Sequence, residues 1–280
     1  MAHQTVVVIG VGGMGQLIAR RQGTGRRLLL ADFNQEALDR VVDVLTGDGY
    51  EATGHLVDVS DPASVTRLAE GAAAAGDVIQ VIHTAGLSPQ QASAQAILHV
   101  DLLGVANVID AFGKVVAPLA SGIVIASMAG TMAAARVPQE VQQALASTPA
   151  DHLLDLPFLS SEALADPGAA YGIAKLANQL RVRAGSVEWG RRGARLNSIS
   201  PGIIATPMGR EELASDNGAQ MRAMIEASGA GRLGTSADIA NAAAFLLGSN
   251  SAFVTGTDLL VDGGVVAALG TLAGGPADRG

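Results

Sequence analysis

The stretch Thr5–Gly15, TVVVIGVGGMG, joins an apolar run to a cluster of glycines. The run of β-branched residues has the length and composition of a buried strand. The glycines let the backbone turn tightly, and the following MGQLIARRQ (14–22) spaces its apolar residues along one face of a helix. The stretch therefore predicts a strand that turns directly into a helix, the first half of a βαβ unit.

The alternation of strand and helix patterns continues along the chain. Strands are predicted at 5–10, 27–33, 52–60, 77–86, 121–127, 194–200 and 258–264. Helices are predicted at 14–22, 34–47, 61–74, 96–116, 171–189 and 236–248. These repeated units predict a single α/β domain over residues 1–280, with a Rossmann-type doubly wound parallel sheet of about seven strands and helices on both faces.

Two segments interrupt this alternation. Residues 131–168 have a weak pattern, in which only VPQEVQQALA (137–146) predicts a helix. Residues 205–234 are polar, contain glycines and are punctuated by methionines. Because long excursions inside a compact domain are usually lids or disordered segments, we expect an insertion at 131–168 and a substrate loop at 205–234.

The glycine cluster fits a phosphate-binding turn. Gly10, Gly12 and Gly15 match the pattern G-x-G-x-x-G directly after a predicted strand. Such a loop lets the backbone approach a pyrophosphate held at the helix N-terminus. With 35 glycines in the chain, the match is weak unless other residues support it.

Asp32 supplies that support, about twenty residues downstream at the end of the second predicted strand, where a carboxylate would accept both ribose hydroxyls of a dinucleotide. Neither the glycine loop nor Phe33 and Asn34 provide a basic side chain for a 2′-phosphate. NAD is therefore favoured over NADP. The alternative is a plain glycine turn with a helix-capping aspartate.

Asp58 and Val59 end the third predicted strand. The Asp58 carboxylate has two possible roles, accepting a hydrogen bond from an adenine amino group or closing the strand with a turn. The sequence leaves both open.

The stretch Ala169–Leu180, AAYGIAKLANQL, contains one of two tyrosines and one of two lysines in the chain. Tyr171 and Lys175 are four residues apart and lie on one face of the predicted helix. A free phenol has a pKa near 10, which a nearby ammonium and an oxidised nicotinamide ring would lower. This spacing predicts a tyrosine that works as an acid or base, the alternative being a buried tyrosine beside a solvated lysine.

Taken together, these motifs resemble the short-chain dehydrogenases/reductases of the classical type over nearly the whole chain. The landmarks occur in order: the glycine loop, Asp32, Asp58-Val59, Thr84-Ala85-Gly86, Ser127, Tyr171-x-x-x-Lys175, Asn197-Ser-Ile-Ser-Pro201-Gly202 with Thr206, GRLGTSADIA and VDGG.

The resemblance implies roles for individual residues. Tyr171 would be the general acid/base, Ser127 would bind the same substrate oxygen, and Lys175 would lower the tyrosine pKa and bind the nicotinamide ribose. The fourth catalytic position corresponds to Asp101. The implied cofactor-binding residues are Gly10, Gly12, Gly13, Met14, Gly15, Asp32, Phe33, Asp58, Val59, Thr84, Ala85, Gly86, Tyr171, Lys175, Pro201, Gly202, Ile204 and Thr206.

The chain departs from the family pattern in four places. The glycine loop is one residue shorter, Thr84 replaces an asparagine, and Asp101 replaces the catalytic asparagine, where its charge would raise the Lys175 pKa. Ser127 and Tyr171 are also separated by the insertion, as in some hydroxysteroid dehydrogenases and carbonyl reductases. Its apolar residues (Leu153, Leu154, Leu156, Pro157, Phe158 and Leu159) are expected either to wall an apolar substrate pocket or to alter subunit packing.

Composition limits the possible partners. A net charge of −8 and a pI near 5.0 argue against nucleic acid and anionic membranes. The uncharged run 115–135 lacks the leucine density of a spanning helix. The absence of cysteine, with no secretory signal recognised, fits a cytoplasmic protein without thiolate metal sites. We expect a small-molecule substrate and, from the resemblance, a homodimer or homotetramer.

The leading hypothesis is an NAD-dependent oxidoreductase of an apolar secondary alcohol or ketone. A redox-sensing NAD-binding protein is the main alternative, supported by Asp101 and Thr84. The same catalytic residues could also serve an epimerase, a dehydratase or an acyl-carrier-linked reductase.

Overall fold

Seven strands form one parallel sheet at the centre of the computed structural model, which describes residues 3–273. The strands are β1 (Gln4–Ile9), β2 (Arg27–Asp32), β3 (Glu51–Leu56), β4 (Asp77–His83), β5 (Ser121–Ile125), β6 (Arg195–Pro201) and β7 (Asp258–Val261). Their order is β3-β2-β1-β4-β5-β6-β7. This confirms the predicted fold class, and the order reverses between β1 and β4, where such sheets open a crevice beyond the carboxyl ends of their strands.

Twelve α-helices are found in the described residues. They are α1 (Gly13–Gln22), α2 (Gln35–Gly47), α3 (Pro62–Ala75), α4 (Ala94–Ile97), α5 (Gly104–Phe112), α6 (Met128–Ala134), α7 (Gln139–Ser147), α8 (Pro167–Arg191), α9 (Pro207–Ala214), α10 (Gly218–Ala227), α11 (Ser236–Leu247) and α12 (Val265–Ala273). Most predicted boundaries lie within a few residues of these. Helix α8 begins four residues before Tyr171, because the Asp166 side chain caps it by accepting from the Ala169 N–H at 2.7 Å.

Alternate residues of the central strands pack against different helices. Val7 and Ile9 of β1 join the apolar cluster that includes α3, α5 and α8, whereas Val6 and Val8 join the cluster that includes α1, α2 and α11. A parallel strand covered on both faces is apolar throughout, which explains the uninterrupted run in the sequence.

The helix predicted at 96–116 is not continuous. A π-helical segment, Leu98–Leu103, separates α4 from α5. Asp101 lies in this segment with no exposed surface. The run Ala94–Phe112 has the length and mean hydropathy, 1.3, of a membrane span, but 61% of it is buried, as expected for a core helix.

The segment 131–168 folds onto α8. It contains α7 and two 3₁₀ turns, Ala150–Asp155 and Pro157–Leu159. Its leucines form a third apolar cluster with α4, the π-helical segment and α8. The Arg181 guanidinium of α8 donates to the carbonyls of Leu145 and Thr148 at 3.1 and 2.8 Å, which ties the end of α7 to this helix.

Candidate active site

A cavity of about 180 Å³ lies beyond the carboxyl ends of β4, β5 and β6. Eleven residues that the sequence nominated for catalysis or cofactor binding line it together: Met14, Thr84, Gly86, Asp101, Ser127, Tyr171, Lys175, Pro201, Gly202, Ile204 and Thr206. They come from six separate parts of the chain. The fold therefore assembles one site from motifs that are far apart in sequence.

Ser127 and Tyr171 meet despite the insertion because α6 and α8 pack closely. A Cβ added to Gly130 of α6 would lie 2.6 Å from the backbone of Lys175, so only glycine permits this approach. Gln179 of α8 also donates to Thr131 and to Ser200 of β6, at 3.0 and 2.8 Å. Ser127 caps α6 by accepting from the Ala129 N–H at 3.1 Å, and its side chain lines the same cavity as Tyr171.

Lys175 and Asp101 form a buried ion pair beside the tyrosine. The Lys175 Nζ lies 2.9 Å from the Asp101 Oδ2, and the two side chains are 6% and 0% exposed. Asp101 Oδ1 also accepts from the Leu87 N–H at 2.8 Å. A Cβ on Gly86 would lie 2.8 Å from the Asp101 Oδ2, so the glycine gives the pair its space.

Burial would lower the pKa of Lys175, but the charge and hydrogen bond of Asp101, together with Tyr171, outweigh burial, and the pKa is raised. This agrees with the direction expected from the sequence. The ammonium is therefore held charged, and its centre lies 5.4 Å from the centroid of the Tyr171 ring.

The expected low pKa of Tyr171 is not found. Burial raises the pKa of this phenol above its ordinary value, the Lys175 ammonium opposes the rise, and the Asp101 charge adds to it. The Lys175 ammonium favours the phenolate as expected, but the larger cost of burying a phenolate, together with the nearby carboxylate, outweighs it in the protein alone. The phenol thus keeps its proton at neutral pH.

Two glycines of the first loop are required by close packing. A Cβ on Gly10, whose φ is 94°, would lie 2.4 Å from the Ala85 nitrogen, and one on Gly15 would lie 2.0 Å from the Gly10 carbonyl oxygen. Thr84 also holds this turn in place, since its hydroxyl donates to the Gly10 carbonyl at 2.6 Å. This threonine therefore holds the loop where the family pattern has an asparagine.

The middle of the loop is open, as a phosphate cradle must be. A Cβ on Gly12 would meet nothing within 4 Å. Helix α1 has no side-chain cap and no acidic residue in its first turn, so the N–H groups at Gly13 and Met14 face this space without competition from a carboxylate. Asp32 orients the loop by accepting from the Val11 N–H at 2.8 Å. These features fit a dinucleotide.

Several nominated residues lie outside the cavity. Phe33 is 74% exposed, beyond the end of β2. The Asp58 Oδ1 accepts from the N–H and hydroxyl of Ser60, which closes the strand with a turn, and Val59 packs in the core. An adenine contact at Asp58 and cofactor binding by Val59 stay predictions.

Two histidines, His83 and His99, lie outside the cavity. His99 is exposed. His83 is 1% exposed at the end of β4. Burial and the Lys175 ammonium lower its pKa to about 3, so it is neutral.

The insertion does not wall the cavity, contrary to one of its two expected roles. Leu153 and Leu159 are buried in the third apolar cluster, and the other four apolar residues nominated there do not line the cavity either. Apolar side chains of this density are stabilised more by joining a core than by facing a cleft. The alternative role in subunit packing stays a prediction.

Residues that the sequence argument did not name line the cavity instead. Leu87 follows β4, Met208 and Glu212 come from α9, and Met221 comes from α10. In the sequence, the methionines within 205–234 were the feature that could have indicated these cavity-lining positions. Nothing in the sequence distinguished Glu212 in the same way.

Comparisons with known proteins agree with this geometry. The family model described as short chain dehydrogenase matches residues 4–139, and the one described as enoyl-(acyl carrier protein) reductase matches residues 133–266. A short-chain dehydrogenase/reductase, bsc3, of Alternaria brassicicola is 42% identical over 269 residues, covering 96% of this chain and 98% of that protein. The chain belongs to the short-chain dehydrogenase/reductase family. It is an oxidoreductase of this family, whose members bind a nicotinamide cofactor.

More distant relatives and solved structures are similar over most of the chain. D-threitol dehydrogenase of Mycolicibacterium smegmatis is 28% identical, covering 92% of this chain and 91% of the relative. A short-chain type dehydrogenase/reductase from Mycobacterium ulcerans has a TM-score of 0.73 at 22% identity, covering 95% of this chain and 92% of that one. An actinorhodin polyketide ketoreductase solved with NADPH has the same TM-score and identity, covering 94% and 97%. These two structures support the fold.

Proposed function

We propose that the chain is an NAD-dependent oxidoreductase that interconverts a secondary alcohol and a ketone, with Tyr171 as the general acid/base. The convergence of Tyr171, Ser127 and the Lys175–Asp101 ion pair on one cavity carries this proposal. Two hydroxyl groups that can reach the same substrate oxygen suit proton transfer to or from that oxygen.

The glycine loop, Asp32 and Thr206 would hold the cofactor. When bound, its nicotinamide ring supplies the acceptor or donor of a hydride. Asp32 favours the free ribose hydroxyls of NAD over the 2′-phosphate of NADP, because its negative charge would repel the phosphate. Lys175 Nζ is the charged donor available for the nicotinamide ribose, and Asp101 orients it.

The remaining chemistry belongs to the side chains of the chain. In the direction of reduction, the protonated Tyr171 phenol donates its proton to the carbonyl oxygen, while Ser127 donates a hydrogen bond that orients it. In the direction of oxidation, the phenolate accepts the proton of the substrate hydroxyl. Since the pKa of Tyr171 is raised, oxidation should accelerate as the pH rises into the alkaline range.

An apolar substrate is favoured by the side chains around the reacting groups. Leu87, Met208 and Met221 line the cavity, and methionines adapt to irregular apolar surfaces. A relative named D-threitol dehydrogenase acts, by its name, on an alcohol, which agrees with the reaction class.

Tyr171→Phe tests the assignment because phenylalanine preserves the ring and removes only the hydroxyl. We expect turnover to fall roughly 100- to 10,000-fold, the usual contribution of a general acid/base. NADH binding, measured by fluorescence titration, should change little. Normal turnover by this variant would show that the mechanism is wrong.

A screen of secondary alcohols and ketones with NAD and NADP in parallel tests the rest of the proposal. Turnover with NADP alone would overturn the cofactor preference. Tight NAD binding with no turnover of any compound would favour the redox-sensor alternative, for which the charged Asp101 is the specific observation.

A further inference from the structure

Glu212 presents a carboxylate to the cavity, and no side chain in the part of the protein that the structure describes donates to it. It lines the same space as Tyr171 and Ser127. Among residues 3–273, its side-chain oxygens accept no hydrogen bond and form no ion pair; only its backbone carbonyl is used, by Ser215. A partly buried carboxylate without a donor is costly, so a ligand that offers one is favoured.

Four other polar side chains of the cavity have partners within the protein. Asp101 is paired with Lys175, and the Ser127 hydroxyl accepts from the Ala129 N–H at 3.1 Å. The Thr206 hydroxyl caps α9 by accepting from the Gly209 N–H at 3.1 Å. Glu212 therefore differs from Asp101 and Lys175, the other charged side chains of this wall, because its partner comes from a ligand or from solvent.

The position of Glu212 is built into the fold. A Cβ on Gly209 would lie 2.0 Å from the Ile204 carbonyl oxygen, so α9 is packed tightly against the chain that precedes it. Glu211 faces the other way and accepts from the Gln91 side chain at 2.8 Å, which anchors α9 to the loop after β4. Met208 and Glu212 are four residues apart and share the face that lines the cavity.

The Glu212 carboxylate interacts electrostatically with other groups of the site. Burial raises the pKa of Glu212, and the neighbouring Glu211 adds to the rise. Glu212 in turn contributes to the raised pKa of Tyr171. A negatively charged group of a ligand at this wall would be repelled, whereas a hydroxyl or an ammonium would be attracted.

We propose that Glu212 binds a hydrogen-bond donor of the substrate, and that the substrate is a largely apolar alcohol or ketone with a second donor, a hydroxyl or an ammonium, and no negative charge. This inference rests on the proposed oxidoreductase function. It adds the chemical group that distinguishes the substrate from a simple apolar alcohol.

A panel of matched cyclic alcohols tests the inference. Oxidation is measured for cyclohexanol, the cyclohexanediols, 4-aminocyclohexanol and 4-hydroxycyclohexanecarboxylate. In the native enzyme, kcat/KM for the best donor-bearing alcohol should exceed that for cyclohexanol by roughly 10- to 100-fold, the contribution of a hydrogen bond to a charged group. The carboxylate should be the poorest substrate.

Three variants identify the group responsible. Glu212→Leu should bring the ratio of kcat/KM between donor-bearing alcohol and cyclohexanol close to one. Glu212→Gln, which keeps the shape and removes the charge, should relieve the exclusion of the carboxylate. Glu226→Gln is the matched control, since Glu226 is exposed on α10, and it should keep the native ratios.

Equal use of cyclohexanol and the donor-bearing alcohols by the native enzyme would overturn the inference, as would a native preference that survives in Glu212→Leu. Neither result would contradict the proposed oxidoreductase function. Absence of turnover for the whole panel and for the wider screen, with NAD still bound, would instead overturn the proposed function and this inference with it.

Discussion

The segments 131–168 and 205–234 both interrupt the alternation of strands and helices, yet they occupy opposite places in the fold. The first buries Leu153 and Leu159 completely in an apolar cluster with α8. The second directs Met208, Glu212 and Met221 into the cavity that contains Tyr171. One excursion supports the helix that carries Tyr171 from outside, and the other lines the candidate site.

The difference follows from composition. A segment with several leucines gains enough by burial to offset the entropy of ordering its backbone, and it becomes part of the core. A segment with scattered methionines and many polar residues cannot form such a core, so it packs as short helices over a cleft. Length alone does not decide which excursion contacts a substrate.

The comparison implies different kinetic effects. The apolar cluster that contains Leu153 also contains Leu98 and Leu102 of the π-helical segment, on either side of Asp101. Substitutions in the segment 131–168 should therefore affect the stability of the protein and the alignment of the Lys175–Asp101 ion pair. A change in that alignment should alter kcat. Changes in the second segment should affect substrate affinity, which is expressed in KM.

Leu153→Ala should give the largest effect. Removing this fully buried side chain should lower the free energy of unfolding by about 2–5 kcal/mol, measured by urea denaturation. Under conditions in which the variant is folded, KM for the substrate should change little, because Leu153 does not line the cavity.

Leu154→Ala is the matched control for this prediction. The neighbouring leucine is only partly buried, so the same chemical change should cost less stability. Equal losses from the two variants, or a tenfold or larger rise in KM from Leu153→Ala, would contradict the division of roles between the two segments.

Asp101→Asn should give an intermediate effect, visible in the pH dependence of alcohol oxidation. The Asp101 charge contributes to the raised pKa of Tyr171, so removing it should lower that pKa. The phenolate then forms at lower pH, and the alkaline rise of kcat/KM should move toward neutral pH.

Asp110→Asn on α5 provides the control for the charge. Burial raises the pKa of Asp110 too, but its carboxylate lies in a separate cavity near Lys114 and Arg181. We expect no movement of the alkaline rise in this variant. A movement toward higher pH in Asp101→Asn would show that another effect of the ion pair dominates.

The parts of the molecule set by local rules could be predicted from the sequence. The β1 run, the close packing of Gly10 and Gly15 and the spacing of Tyr171 and Lys175 depend on neighbours along the chain or on steric limits of the backbone. Such features leave a pattern in the residues themselves. The parallel sheet with helices on both faces was likewise predicted from the repeated βαβ units.

The features set by tertiary contacts could not be predicted. The π-helical turn leaves no periodicity distinct from that of an α-helix over six residues. The raised pKa of Tyr171 depends on the burial of its side chain, and the extent of burial cannot be read from the sequence. Glu212 is an ordinary acidic residue of a polar loop until α9 is packed against Ile204.

Met221→Ala should give the smallest effect and the clearest one on substrate affinity. The side chain lines the cavity from α10 and is only partly buried. Losing its apolar contacts should raise KM by about three- to tenfold, at roughly 0.8 kcal/mol per CH₂ removed from contact. The free energy of unfolding should change by less than about 1 kcal/mol.

Met224→Ala, on the same helix but outside the cavity, should leave KM unchanged. If both variants raised KM equally, α10 would act through its general packing, and the loop would not contact the substrate in the way that its inward-facing methionine implies.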